Sequence, residues 1–260
     1  MRADAAMVAR GLCKSRTRAK ALIEEGKVYC GERPVAKPAE DIAETATLTL
    51  RGDDLRYVGR GGLKLEGALG AFPVSPDGCV CMDIGASTGG FTDCMLQNGA
   101  ALVYAVDVGH DQLDARLRED PRVVDLEGTD IRRMPPPAQT PTFCSIDVSF
   151  ISLRLVLPAA FALLADEADC IALIKPQFEA GRAALGKHGI VRSAKAHVQV
   201  LEELLTFAQE IGFAVQGVCV SPVRGGSGNI EYLTYLTKGR ADAPPLPDIR
   251  ALVRTTGLVG

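Results

Sequence analysis

Short apolar runs at residues 79–84, 101–107, 122–126, 142–148, 169–175, 213–221 and 230–237 alternate with stretches of helical periodicity. That rhythm predicts an α/β domain built on a mostly parallel, doubly wound sheet. The last two runs are joined by Pro222-Val-Arg-Gly-Gly-Ser-Gly228 and not by a helix, so they should pair antiparallel at an edge. Ahead of this region the pattern changes. Residues 4–12 and 15–26 read as two helices, the second opened by Ser15 as N-cap and closed by Gly26. Val28-Tyr-Cys30 and Arg33-Pro-Val35 suggest a hairpin with Gly31 in its turn, and Thr45 to Leu50 alternates as a third strand. The result is a small α+β module of about 58 residues. A connection rich in glycine and arginine, Arg56-Tyr-Val-Gly-Arg-Gly-Gly62, leads into a helix from about Leu63 to Ala71. The expected divisions are 1–58 for the N-terminal domain and linker, 59–240 for the α/β domain, and 241–260 for a tail without assignment.

Composition narrows the class. With 47% hydrophobic residues in 260, the chain can bury a sizeable core. The longest nearly apolar run, Leu155 to Ala165, contains Pro158 and stops at Asp166-Glu-Ala-Asp169, too short for a bilayer span. No basic-then-apolar leader opens the sequence, which points to the cytoplasm and away from a membrane. The eight cysteines then read as reduced thiols; Cys79-Val-Cys81 lacks the two-residue gap of zinc or redox pairs, and neither a metal nor a disulfide is expected. The histidines at 110, 188 and 197 have no metal-binding spacing, and no GxSxG elbow supports nucleophilic hydrolysis.

Charge is uneven. The first 37 residues hold nine Lys or Arg against four Asp or Glu, so the rest of a chain of net charge -3 is acidic. Arg10, Lys14, Arg16, Arg18 and Lys20 gather around the junction of the two N-terminal helices, making them candidates for RNA binding. Aromatics are scarce there, only Tyr29 and Tyr57, but folded RNA is recognised by shape and phosphates. The plainer alternative is a solvated helix face.

The segment Val80-Cys-Met-Asp-Ile-Gly-Ala-Ser-Thr-Gly-Gly-Phe91 carries the clearest chemistry, an apolar strand that runs into an acid and a glycine-rich turn before a helix. Such a turn brings backbone amides close to a ligand. The next run, Ala101-Leu-Val-Tyr-Ala-Val-Asp107, ends in an acid about 20 residues on, the place that binds a ribose hydroxyl pair in dinucleotide folds. The turn is neither a phosphate loop nor a strict GxGxxG, and no lysine follows it. A nucleoside bearing a carboxylate in place of pyrophosphate, such as S-adenosylmethionine, fits amides and the hydroxyls of Ser87 and Thr88. An ordinary strand-turn-helix connection is the competing reading.

Four charges stand at strand ends or helix starts, where open sheets place their ligands: Lys64, Asp147, Lys175 and Glu231. Each alone could be a paired surface charge. If they converge, a lysine among carboxylates could accept a proton from a weakly acidic hydroxyl, and a ribose 2′-OH is a suitable acceptor for a methyl group. Asp147-Val-Ser-Phe150 differs from the Pro-Pro arrangement associated with methylation of base amino groups, which favours oxygen.

These residues resemble the TlyA family, also called hemolysin A, of ribosomal RNA 2′-O-methyltransferases, whose catalytic domain is similar to FtsJ. The resemblance runs from about Ala3 to Leu236. It is carried by Ser15-Arg-Thr-Arg-Ala-Lys-Ala-Leu-Ile23, Gly59-Arg-Gly-Gly-Leu-Lys-Leu-Glu66, Asp83-Ile-Gly-Ala-Ser-Thr-Gly-Gly-Phe-Thr-Asp93, Tyr104-Ala-Val-Asp-Val-Gly109, Ile146-Asp-Val-Ser-Phe-Ile-Ser-Leu153, Lys175-Pro-Gln-Phe-Glu179 and Gly228-Asn-Ile-Glu231. It implies an N-terminal RNA-binding domain like that of small-subunit ribosomal protein four and a class I methyltransferase domain. It also implies a catalytic tetrad of Lys64, Asp147, Lys175 and Glu231, with Lys175 activating the 2′-OH. Contacts to S-adenosylmethionine are implied at Asp83, Gly85, Ser87, Gly89, Gly90, Phe91 and, for the ribose, Asp107. The implied substrate is a cytidine in 16S or 23S ribosomal RNA, with ribosomal subunits as partners. The opening Arg2-Ala-Asp-Ala-Ala6 carries alanines where the family commonly has leucines, and the chain beyond Lys238 matches nothing in it. Two other classes compete. A non-catalytic RNA-binding assembly factor would be favoured by loss of a tetrad residue, and none is lost. A membrane-lytic hemolysin would need a spanning helix or a long amphipathic face.

Overall fold

The computed structural model describes residues 1–13, 15–24, 26–31, 33–50, 56–240 and 244–258. They fall into two compact units, Met1–Arg56 and Tyr57–Gly260. In the first, helices α1 (Ala3–Ala9) and α2 (Arg16–Glu24) share a core with a three-stranded antiparallel sheet of order β2-β1-β3, formed by β1 (Val28–Cys30), β2 (Arg33–Pro34) and β3 (Leu48–Leu50). Ala3, Ala6 and Met7 of α1 meet Ala19, Leu22 and Ile23 of α2 over Val28 and Leu48. The Ser15 hydroxyl accepts from the Arg18 amide at 3.2 Å, which caps α2, and Gly26 beyond it adopts φ +70°. The third strand starts at Leu48 and not Thr45, because the Ala46 amide closes a turn on the Ala43 carbonyl at 3.1 Å.

The second unit contains α3 (Gly61–Ala71), β4 (Val80–Ile84), α4 (Gly90–Gln97), β5 (Leu102–Asp107), α5 (Ala115–Arg118), β6 (Val123–Glu127), β7 (Phe143–Ile146), α6 (Leu153–Leu163), β8 (Ala168–Ile174), α7 (Pro176–Glu179), α8 (Ala194–Glu210), β9 (Ala214–Val220), β10 (Tyr232–Lys238) and α9 (Ile249–Arg254). Its sheet has seven strands in the order β6-β5-β4-β7-β8-β10-β9. β4 through β8 pair in parallel, and β10 runs antiparallel to both β8 and β9, with β9 outermost. Alternation along the strands divides the core in two. Met82 and Ile84 of β4 join Leu157, Leu201 and Leu204 on one face, while Cys81 joins Leu65, Met95 and Leu117 on the other.

Two boundaries differ from the sequence reading for packing reasons. Tyr57 is only 1% exposed and lies against Gly62, where a side chain would collide with its ring, so the second unit begins at Tyr57 and not at Gly59. The terminal stretch is part of the same unit. Asp248 caps α9 by accepting from the Ala251 amide at 2.9 Å, and Ile249 and Val253 enter the core beside α8.

Candidate active site

The ends of β4 and β5 build one side of the site. Ile84 is in register with Ile146 of β7, so the chain leaving β4 passes directly beside Asp147. Gly85, at φ +86°, permits that approach: a Cβ there would stand 2.5 Å from the Asp147 carbonyl oxygen. The turn then folds back on Asp107. The Ser87 amide donates to Asp107 Oδ2 at 2.8 Å, and the Gly109 amide donates to Oδ1 at 2.7 Å. A cleft of about 430 Å³ opens along this edge, lined by Gly85, Ser87, Asp107, Gln112 and Asp130 among others. The Arg132 guanidinium and backbone amide hold the Asp130 carboxyl down at about 2.

Not every residue expected at the cofactor reaches this cleft. Gly90 and Phe91 line a smaller cavity of about 200 Å³ with Gly85, Ser87, Asp147 and Lys175. Gly89 lines none of these cavities; its φ of +94° and the nearness of Leu117 on α5 are what require a glycine. Asp83 is fully buried behind the turn, accepting from the Thr92 hydroxyl at 2.7 Å and the Ser145 hydroxyl at 2.9 Å. Burial pushes its carboxyl up to about 7, against the pull of those hydroxyls. Asp83 therefore braces α4 and β7 from inside.

The four charges do converge, as two ion pairs. Lys64 Nζ on α3 lies 2.6 Å from Glu231 Oε2, and Lys175 Nζ lies 2.6 Å from Asp147 Oδ1. Strand register explains the meeting. Tyr232 pairs with Ile174 in an antiparallel ladder, so Glu231 and Lys175 emerge side by side, and Asp147 leaves the neighbouring parallel strand at the same end of the sheet. Lys175 precedes Pro176, which keeps it extended at φ -112° and ψ 99° and starts α7. Lys64 and Lys175 are each 8% exposed and Glu231 2%, so each charge depends on its partner.

Two polar residues that the sequence reading missed complete the arrangement. Lys175 Nζ donates to Ser149 Oγ at 2.8 Å, and Gln177 Nε2 donates to Glu231 Oε1 at 3.2 Å. Ser149 lies two positions beyond Asp147, the spacing that returns a side chain to the same face of an extended chain, while Gln177 sits in the first turn of α7. Gln112, Asp130 and Arg132 were missed as well, and their loop positions give no comparable signal. A second cleft of about 700 Å³ is lined by Lys64, Lys175, Gln177, Glu231 and Ser149 with residues of the 181–189 and 225–229 segments. Ser149 lines all three cavities, and Phe150 beside it, at φ +65° and 91% exposed, stacks toward Phe178 with ring centroids 5.1 Å apart.

In the N-terminal unit, several of the expected RNA-binding cations have internal partners. Arg10 donates to the carbonyls of Ala43, Glu44 and Ala46 at 2.6 to 3.1 Å. Arg16 pairs with Asp4 at 2.8 Å, holding that carboxyl well below the usual range together with Arg2, and Lys20 stands 3.7 Å from Glu24. Arg18 is half-buried, and Lys14 lies outside the described residues.

Residues 57–238 match the family described as FtsJ-like methyltransferase, and residues 1–47 match the S4 domain. YqxC of Bacillus subtilis is 52% identical over 238 residues, spanning 90% of this chain and 85% of that protein. The 16S/23S rRNA (cytidine-2′-O)-methyltransferase TlyA of Mycobacterium tuberculosis is 44% identical over 238 residues, spanning 90% of this chain and 89% of that one. A solved structure described as a candidate hemolysin from Streptococcus thermophilus superposes with a TM-score of 0.79 at 47% identity, covering 99% of this chain and 95% of that chain. Among the described residues no helix is long and apolar enough to cross a membrane.

Proposed function

The chain belongs to the FtsJ-like methyltransferase family, with an S4 domain ahead of it, and we propose that it methylates the ribose 2′-OH of a cytidine in 16S or 23S ribosomal RNA in the cytoplasm, with S-adenosylmethionine as donor. The observation that carries this reading is the position of Lys175 Nζ. It is held between Asp147 and Ser149 at 2.6 and 2.8 Å, where the cleft beside the glycine turn meets the larger one beside Lys64 and Glu231.

The residues of the smaller cleft suit the cofactor. Its glycine wall leaves no room for a Cβ at Gly85, the adjoining cavity continues along Gly90 and Phe91, and Asp107 on the cleft wall would accept from the ribose hydroxyl pair. Bound there, S-adenosylmethionine supplies an electrophilic methyl group whose transfer needs positioning more than covalent help. Lys175 Nζ, once it has released its own proton to solvent, takes the proton of the 2′-OH as that oxygen attacks, and the ammonium so re-formed pairs again with the Asp147 carboxylate. Ser149 fixes the direction of the amine. The Lys64–Glu231 pair, steadied by Gln177, frames the sugar side and places a second cation near the RNA backbone. The S4 domain supplies further RNA affinity.

The test is transfer of labelled methyl from S-adenosylmethionine to ribosomal subunits that lack the modification, followed by mapping of ribose methylation. Label at a cytidine 2′-oxygen in one or both subunits is expected. Label on a base, or RNA retention without transfer, overturns the proposal; lysis of red cells in place of transfer would point to the hemolysin class.

A further inference from the structure

One wall of the 700 Å³ cleft is a segment of irregular chain between α7 and α8, which contributes Gly181, Arg182, Leu185, His188 and Gly189. Its own structure is one 3₁₀ turn, Arg182–Ala184, and an irregular turn at Lys187–Gly189 in which His188 has φ +65°, and its internal backbone bonds are local, such as Gly186 to the Ile190 carbonyl at 3.0 Å. Turns of this kind do little to fix a wall.

The anchorage lies at its far end and is made by buried side chains. The Val191 amide donates to Asn229 Oδ1 at 3.1 Å, and Asn229 Nδ2 donates to the Gly189 carbonyl at 3.1 Å. The Val191 carbonyl is met by His197 Nε2 at 3.0 Å, and His197 Nδ1 is 2.9 Å from the Tyr232 hydroxyl. A carbonyl only accepts, so Nε2 carries the hydrogen and Nδ1 accepts from Tyr232 in the neutral ring. Burial pushes the His197 pKa down, in keeping with that neutral form. His197 and Tyr232 are both 0% exposed. If His197 only filled the core of α8, an apolar residue would serve there without a polar group to satisfy. Asn229 and Tyr232 also flank Glu231, so one strand entry holds both the Lys64 ion pair and the wall of the cleft.

We propose that His197, acting through the Val191 carbonyl and Tyr232, is a positioning residue for the RNA acceptor: it anchors the 181–191 wall, and with it Arg182 and His188, at the depth that receives the target nucleotide and its flanking phosphodiester. The proposal rests on the reading of this cleft as the acceptor site.

Full-length His197→Ala, His197→Gln and Tyr232→Phe decide it. In His197→Ala, amide hydrogen exchange over 182–191 should quicken about tenfold, the worth of one hydrogen bond, with no change over 85–91. The KM for RNA should rise by about the same factor while S-adenosylmethionine affinity stays within about twofold. Glutamine, which can donate to Val191 and accept from Tyr232, should restore most of both. Tyr232→Phe keeps the ring and should show a smaller loosening of the same segment, and it carries the comparison if alanine prevents folding. Unchanged exchange over 182–191, parallel loss of RNA and cofactor binding, or glutamine no better than alanine would overturn the proposal. Absence of methyl transfer by the wild-type chain would remove the acceptor reading instead, and the exchange measurement would still decide whether His197 anchors the wall.

Discussion

The two clefts that meet at Ser149 are built by opposite means. The one beside the glycine turn is organised by a short piece of chain, residues 80–91, and an acid 20 positions past the amide it binds, with Gln112, Asp130 and the 147–151 segment closing its other sides. Backbone direction defines it, so the changes that damage it are steric. The larger cleft joins Lys64 to Glu231 across 167 positions and Lys175 to Ser149 across 26, and its walls are defined by buried charge. Damage there is electrostatic and can be compensated by a second change. Cofactor affinity and acceptor chemistry should therefore respond separately to substitution.

The sharpest separation is expected at Lys175. Lys175→Ala should lower single-turnover methyl transfer by about 10³-fold, in the range for loss of a general base, while S-adenosylmethionine binding by calorimetry stays within about twofold. Retained turnover would remove Lys175 from the chemistry. Loss of cofactor binding would show that the two clefts are one. At the other pair, Glu231→Gln leaves Lys64 buried without its carboxylate and should destabilise the fold by about 3 kcal/mol in denaturant titration. Adding Lys64→Met should recover most of that stability and none of the turnover. If stability losses simply add, the pair is not coupled.

Gly85 tests the steric side. Gly85→Ala places a methyl group 2.5 Å from the Asp147 carbonyl at a φ of +86°, and about 2 kcal/mol of stability should be lost. Cofactor affinity should fall with it. Because the collision is with Asp147 itself, turnover should fall further than binding does; equal losses would mean that β7 yields without moving the carboxylate.

The contrast between the clefts also explains what the sequence revealed. Strand and helix periodicity located all seven strands of the large sheet to within a few residues, because half-buried strands and glycine turns leave local marks. The convergence of Lys64 with Glu231 depends on antiparallel register between β10 and β8 and on α3 packing, neither of which is written in a short window, so the resemblance to a family had to supply it. Ser149 was legible in principle from its spacing after Asp147, whereas Gln177 is brought to Glu231 by the turn into α7. The wall at 181–191 and its anchor His197 were not, since a lone histidine on an apolar helix face looks the same whether it fills a core or meets a carbonyl.

Asp83 gives the smallest and most specific expectation. It is the buried acid of the cofactor side, held by hydroxyls where Asp147 and Glu231 have lysines. Burial raises it to about 7 from an ordinary 3.8, so between those values the folded chain binds a proton that the unfolded chain releases. Stability from this group is thus present at low pH and is lost as pH rises through 7. Asp83→Asn removes the titration, keeps one acceptor oxygen for a hydroxyl and turns its amide nitrogen, as a donor, toward the other of Thr92 and Ser145. Relative to wild type, the variant should gain about 1 kcal/mol of unfolding free energy between pH 6 and pH 7, measured by denaturant titration at each pH, with turnover little changed. Parallel stability curves would mean that the Asp83 carboxyl keeps one charge state throughout, and that its brace on α4 and β7 does not weaken with pH.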